Sequence, residues 1–119
     1  MSKEVKNKNL LKNHIVNIIE DAKGKEIITL DLRNIETAIC DFFIVCTGTS
    51  NIHVKSIEDK IKKIISKKIG EKPLHIEGNK TAEWILIDYY DVIIHIFQKQ
   101  TRDFYKIEEF WGDAKITIH

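Results

Sequence analysis

The chain has 119 residues, 43% hydrophobic and 31% charged, with 19 basic and 18 acidic side chains. That size suits one domain with a core of its own, and the composition excludes an intrinsically disordered chain or a small disulfide scaffold. Near-neutral charge, with Arg33 and Arg102 as the only arginines, argues against a general electrostatic grip on nucleic acid or membrane.

Leu11, Ile15, Ile18, Ile19 and Ala22 recur at helical spacing, and Gly24 stands where a C-cap glycine would. "EIITLDL", Glu26 to Leu32, reads as a strand and "RNIETAI" as a connection. In "CDFFIVC" both parities are apolar, with Cys40, Phe42, Ile44 and Cys46 on one side and Phe43 and Val45 on the other. Such a strand is expected at the centre of a sheet, covered on both faces. A helix follows from about Asn51 to Ile69, with Ser50 as N-cap and Gly70 as its stop. Val54, Ile57, Ile61, Ile64, Ile65 and Lys68 trace its stripe.

After Pro73 comes a short extended piece, "LHIEG", and then "EWILIDYYDVIIHIF". The latter reads as two strands, Trp84 to Asp88 and Asp91 to Phe97, joined by Tyr89-Tyr90. A two-residue loop there would set Trp84 opposite His95, Leu86 opposite Ile93 and Asp88 opposite Asp91. One hairpin face is then wholly aliphatic (Ile85, Ile87, Val92, Ile94, Ile96) and belongs to the core. The other, with Trp84, Leu86, Asp88, Asp91, Ile93, His95 and Phe97, is aromatic at one end and acidic at the other. A last helix, about Thr101 to Trp111, places Phe104, Ile107 and Trp111 on one side, with Tyr105 and Glu108 on an adjacent strip. The tail "DAKITIH" carries no readable signal.

Charge is unevenly placed. Lys55 to Lys72 holds seven lysines against three acids, and Glu83 to Asp113 seven acids against three bases. The lysine stretch reads as solvated surface, whereas the acidic stretch is mixed with aromatics and fits a basic protein partner.

Catalytic readings are weaker. Cys46 ends an apolar strand and His53 lies in the next helix with no orienting third group, so a buried, inert thiol is expected. Thr47-Gly48-Thr49-Ser50 has the strand–glycine–helix order of an anion site. It lacks both the G-x-x-x-x-G-K-[ST] and G-x-G-x-x-G patterns, and a glycine turn with a serine cap explains it equally. A nucleotidyl-transfer site would need paired carboxylates on a neighbouring strand, and none is evident. His14, His53, His75, His95 and His119 are scattered, without metal-ligand spacing. No metal, cofactor or catalytic residue is therefore assigned. The two cysteines, the absence of a secretory apolar core and the lack of any apolar run near ~18 residues point to the cytoplasm.

Three stretches together resemble the ribosomal silencing factor family, also called the Iojap family. "CDFFIVCTGTSNIHV" is similar to D-x-x-[VI]-[VI]-x-T-G-x-S-x-x-[HQ]-V, "EWILIDYYDVIIHIF" to W-x-[LV]-[IL]-D-x-G-D-[VI]-[VI]-V-H-[IV]-[FM], and "TRDFYKIEEFW" to R-x-x-Y-x-L-E-x-L-W. The resemblance implies a single α/β (α+β) domain over residues 1–119, with about five strands in a mixed sheet and helices packed on it. That fold is distantly like nucleotidyltransferases but without their catalytic acids. It also implies a non-enzymatic homodimer that docks on the large ribosomal subunit through its fourteenth protein and blocks subunit joining when nutrients are short. The surface expected to meet that partner is Trp84, Asp88, Tyr89, Asp91 and His95, with Tyr105, Glu108 and Trp111; Gly48 and Ser50 are structural. No membrane and no sequence-specific nucleic-acid contact is expected. The competing class is a nucleotide-binding enzyme using the Gly48/Ser50 turn. The first eight or so residues and the tail after 112 are expected to be flexible. The family pattern has glycine where this chain has Tyr90, and tyrosine tolerates positive φ poorly, so a different loop is expected there.

Overall fold

In the computed structural model, which describes residues 3–119 and side chains from residue 9 onward, helix α1 (Lys3–Asp21) leads into strand β1 (Lys25–Asp31). Strand β2 (Phe42–Gly48), helix α2 (Asn51–Lys68) and the short strand β3 (His75–Glu77) follow. Strands β4 (Trp84–Asp88) and β5 (Val92–Gln98) form the hairpin, and α3 (Lys99–Tyr105), the single turn α4 (Ile107–Phe110) and β6 (Lys115–Ile118) complete the chain. Among the described residues six strands make one mixed sheet in the order β3-β4-β5-β2-β1-β6, in which only the β2–β5 pair is parallel. The expected flexibility of the first eight residues lies outside the described side chains.

The central position of β2 follows from its sequence: all seven of its residues are buried. Phe42, Ile44 and Cys46 join Val54, Ile57, Ile61 and Ile65 of α2 and Leu11, Ile15 and Ile19 of α1 in one core. Phe43 and Val45 face the other way, into a second core with Leu30, Ile93 and Phe97. Cys40 precedes the strand and belongs to this second core, not to the first as the alternation suggested. Each core is aliphatic or aromatic in its interior, so the sheet is sandwiched rather than one-sided.

The helix ends carry two separate lessons. Lys23 N–H donates to Glu20 O at 3.0 Å and Gly24 N–H to Ile19 O at 2.9 Å, a Schellman closure of α1. The left-handed residue is Lys23, at φ +66°, so the cap lies one position before the glycine expected to supply it. Gly24 is needed for space, because a Cβ there would come within 2.4 Å of Ile19 Cγ2. At α2, Ser50 accepts from His53 N–H and Gly70, at φ +76°, ends the helix, as its sequence indicated.

The hairpin register differs from the expected one by two residues. Trp84 faces Phe97, Leu86 faces His95 and Asp88 faces Ile93. Tyr89 N–H donates to Val92 O at 2.9 Å, so the turn is centred on Tyr90-Asp91 rather than Tyr89-Tyr90. Tyr90 takes φ +80° despite its side chain, and Asp91 N–H reaches Tyr89 O at 3.1 Å across it, the bond of a γ-turn. Asp88 Oδ1 accepts from Tyr90 N–H at 2.7 Å and helps hold this strained residue. A shift of two preserves strand parity, so every side chain of both strands keeps its assigned face.

Two further corrections concern the C-terminal part. The last helix is broken at Lys106, at φ +48°, and Phe104 is exposed rather than sharing one side with the half-buried Ile107 and Trp111. The tail, for which no element was read, supplies β6, an edge strand paired antiparallel with β1. His119 N–H donates to Ile27 O at 2.9 Å, and its Nε2 lies 3.2 Å from Thr29 Oγ1. Strand patterning fails in β6 because all four residues are exposed, which erases the alternation that period-two reading depends on.

Candidate functional site

The second core is open along one side, where the hairpin and α3–α4 expose their aromatics. Trp84 is half-buried and stacks on Phe97 with centroids 4.8 Å apart, while Tyr105 from α3 leans on it at 4.9 Å. Trp84 Nε1–H donates to His95 Nδ1 at 3.1 Å, a diagonal pair across the hairpin. His95 in turn meets the Phe43 ring edge-on at 4.6 Å, and Phe43 meets Trp111 edge-on at 5.8 Å. The result is a connected aromatic face, Tyr105–Trp84–His95–Phe43–Trp111, drawn from α3, both hairpin strands, β2 and the turn after α4. Phe104 and Phe110 stand at its outer side, 79% and 80% exposed. Large apolar groups gathered on open surface mark an interaction site.

His95 is 5% exposed, and burial alone pushes its imidazole down to about 4. It is therefore neutral at physiological pH, with Nδ1 accepting from Trp84, which places the proton on Nε2. Its role at this face is to orient the indole.

Of the other expected surface residues, Asp88 and Asp91 lie half-buried at the far end of the hairpin. Asp88 is on the Trp84 strand face, four residues along, which is roughly 13 Å. Tyr89 does not join them: it is 6% exposed and packs in the helix-side core. Burial pushes its hydroxyl up to about 12. Glu108, expected on the partner surface, is held from within the chain: its Oε1 accepts from Arg102 Nε at 3.0 Å.

Arg102 was missed by the sequence reading and organises this region. It is 5% exposed, and its Nη1 donates to Glu26 O at 2.7 Å and Thr47 Oγ1 at 2.9 Å. Glu26 sits at a β-bulge in β1 with φ +49°, and the bulged residue's carbonyl accepts this bond. One guanidinium thus ties α3 to β1, β2 and α4, and α4 leads into the turn that carries Trp111. The available signals were its rarity and its place as the first residue of the R-x-x-Y-x-L-E-x-L-W-like stretch, to which no role was attached.

Gly78 positions the Trp84 backbone. It lies at φ +82°, and a Cβ there would fall 1.9 Å from Trp84 O. Gly78→Ala is expected to cost at least about 1–2 kcal/mol from the left-handed backbone alone. The collision adds to this by pushing β4 outward. A lowered urea midpoint, accompanied by a red-shifted tryptophan emission, is the measurable outcome.

The Thr47–Ser50 loop is spent on structure. Thr49 N–H donates to His53 Nδ1 at 2.9 Å, His53 N–H to Ser50 Oγ at 3.1 Å, and Ile52 N–H to Asn51 Oδ1 at 3.0 Å. A Cβ on Gly48 would lie 2.7 Å from Val54 Cγ2, so packing accounts for that glycine. The amides of Thr49, Ile52 and His53 are thus engaged by side chains of the same segment, and Gly48 and Ser50 serve here as a packed turn and a helix cap. His53 Nε2 donates to Ala22 O at 2.7 Å and so joins the two helices. Cys46 is fully buried, and burial pushes its thiol up to about 12.

Comparisons with known proteins converge. The family pattern described as "Ribosomal silencing factor during starvation" matches residues 5–119. A ribosomal silencing factor of Halalkalibacterium halodurans is 37% identical over 99 residues, 83% of each chain, and that of Bacillus subtilis is 34% identical over 97 residues, 82% of this chain and 80% of the other. The chloroplastic Iojap protein of Zea mays is 38% identical over 73 residues, which is 61% of this chain and 31% of that one. A crystal structure from Chromobacterium violaceum superposes with a TM-score of 0.81 at 35% identity, covering 87% of this chain and 85% of the other. Pattern, identity and fold agree over most of the sequence, so the chain belongs to the ribosomal silencing factor family.

Proposed function

We propose that this chain silences the large ribosomal subunit without catalysis, by docking on its fourteenth protein and excluding the small subunit when nutrients are limiting. The observation that carries this reading is the aromatic face: Trp84, Tyr105 and Trp111 gathered on one open surface, with Asp88 and Asp91 at its far end. Trp84 is the anchor, and the carboxylates meet lysines and arginines of the partner. Glu108 contributes from its Arg102-bound position, His95 acts behind Trp84, and the inward-facing Tyr89 stands outside the contact. When free, the chain covers the same apolar face with a second copy. Among the described residues no helix is long and apolar enough to cross a membrane, and the proposed site of action is the cytoplasm.

Sucrose-gradient sedimentation tests it. The protein should travel with purified large subunits and lower the yield of joined particles when small subunits are added. Trp84→Ala, with an unchanged melting curve, is expected to weaken this binding roughly thirtyfold, about 2 kcal/mol. A folded Trp84→Ala chain that still sediments fully with large subunits would overturn the surface, and a wild-type chain left at the top of the gradient would overturn the function.

A further inference from the structure

The helical layer carries a second surface, on the side of the sheet away from the aromatic face. By turning Val54, Ile57, Ile61 and Ile65 inward, α2 leaves Ser56, Lys60, Lys63 and Lys67 as one outward strip at i, i+4, i+7 and i+11. The segment Asn79–Ala82 rises opposite this strip and brings Lys80 with it. Between them lies an open groove of about 680 Å³. Four lysines line it, Lys55, Lys60, Lys63 and Lys80, against one carboxylate, Asp59.

That carboxylate is neutralised from within α2, since Lys55 and Lys62 approach it at 3.5 and 3.7 Å. Glu58 is fully buried and bound by the same two lysines, at 2.6 and 3.0 Å. Lys60, Lys63 and Lys80 are exposed and, among the described residues, make no ion pair. A face selected only for solubility interleaves acids with bases, because like charges at i, i+3 and i, i+4 cost helix stability. Here both acids of α2 lie outside the strip and the lysines repeat along it. The rest of the lining supplies hydroxyl and amide groups, from Asn51, Ser56, Asn79 and Thr81, beside the apolar Ile52 and Ala82, and no aromatic ring.

We propose that this groove takes the sugar–phosphate backbone of ribosomal RNA when the chain is docked on the large subunit. Compact ammonium groups act on phosphate oxygens as point charges, and the neutral donors between them can hydrogen-bond the same backbone. With no ring to stack bases and no planar fork to read their edges, the contact positions the protein and carries no sequence preference. The proposal rests on the docking reading for one point, that the RNA is ribosomal.

Binding to large subunits measured across a salt series separates the two. The double variant Lys60→Glu with Lys63→Glu should melt like the parent and bind at least about tenfold more weakly near 100 mM salt. The slope of log affinity against log salt should become shallower by about 1.4–1.8, the loss of two phosphate contacts. A photoreactive group placed on Lys63→Cys should crosslink to RNA; Cys40 and Cys46 are buried, so labelling is confined to the introduced thiol. Unchanged affinity and slope in the double variant, with wild type still bound, would overturn the groove and leave the docking reading standing. Crosslinks to ribosomal protein alone would overturn it in favour of an acidic protein surface. If the wild-type chain fails to bind large subunits, the docking reading falls. The groove is then judged on deproteinised large-subunit RNA, where the same slope difference supports it and equal slopes overturn it.

Discussion

Replacing Arg102 by methionine is expected to destabilise the fold by about 3 kcal/mol, and to lower the melting temperature by roughly 10 °C. Methionine fills much of the same volume but strands three acceptors: Glu26 O, Thr47 Oγ1 and Glu108 Oε1, each within 3.0 Å of the guanidinium. Removing one member of a buried charged network costs far more than the network contributes, because the remaining groups have given up water for nothing. Glu108 retains 26% side-chain exposure and recovers some hydration, which holds the figure to the lower part of the usual range. Arg102→Lys keeps the charge but has no fork, and should restore only part of the loss. Urea denaturation of the three chains gives the ordering wild type, Arg102→Lys, Arg102→Met; equal stability of wild type and methionine variant would show that the network adds nothing. Because Arg102 also anchors the turn that carries Trp111, the methionine variant should bind large subunits less well even at temperatures where it stays folded.

The second large effect is acid sensitivity centred on His95. In the native chain burial holds this imidazole neutral down to about 4, whereas the unfolded residue titrates at its ordinary value of 6.5. Between those two values the unfolded chain binds a proton that the native chain refuses, so acid draws the equilibrium toward unfolding. The contribution is complete above pH 6.5 and is lost as the pH falls to about 4, for a total of about 3 kcal/mol. Phe43, Trp84 and Phe97 surround the ring, and no charged neighbour offsets the desolvation. His95→Gln keeps an acceptor for the Trp84 indole and cannot titrate. Its stability should fall less between pH 7 and pH 4.5 than that of the wild type. Parallel acid limbs for the two chains would assign the sensitivity to other groups.

The sequence disclosed most where burial is one-sided or complete. The stripe of α2, the doubly apolar β2 and the two chemically distinct hairpin faces all carry strong periodic signals, and each lies where it was read except that Lys68 is exposed and Cys40 precedes β2 in the second core. Register was harder. A slip by two residues leaves the hydrophobic pattern untouched, so nothing in the strands themselves distinguishes the observed pairing from its neighbour. The decision rests on Tyr90 adopting φ +80°, a conformation that residue preferences argue against. Lys106 at φ +48° hid the break between α3 and α4 in the same manner. The aromatic members of the candidate surface were visible as residues, yet the side on which Tyr89 lies, and the internal pairing of Glu108, depend on the turn and on Arg102. Those are long-range facts: Arg102 and Glu26 lie 76 residues apart.

The placement of the sheet between two cores has a consequence for how this protein tolerates change. Ile61 and Ile65 on one side and Trp84 and Trp111 on the other share no core, because β2 and β5 stand between them. Substitutions in separate cores combine additively in free energy, without epistasis. The helix-side interior is thus free to drift through different aliphatic packings while the opposite face is held to its recognition chemistry. A library randomised at α1 and α2 core positions should accordingly yield chains that differ widely in melting temperature but share one affinity for their partner.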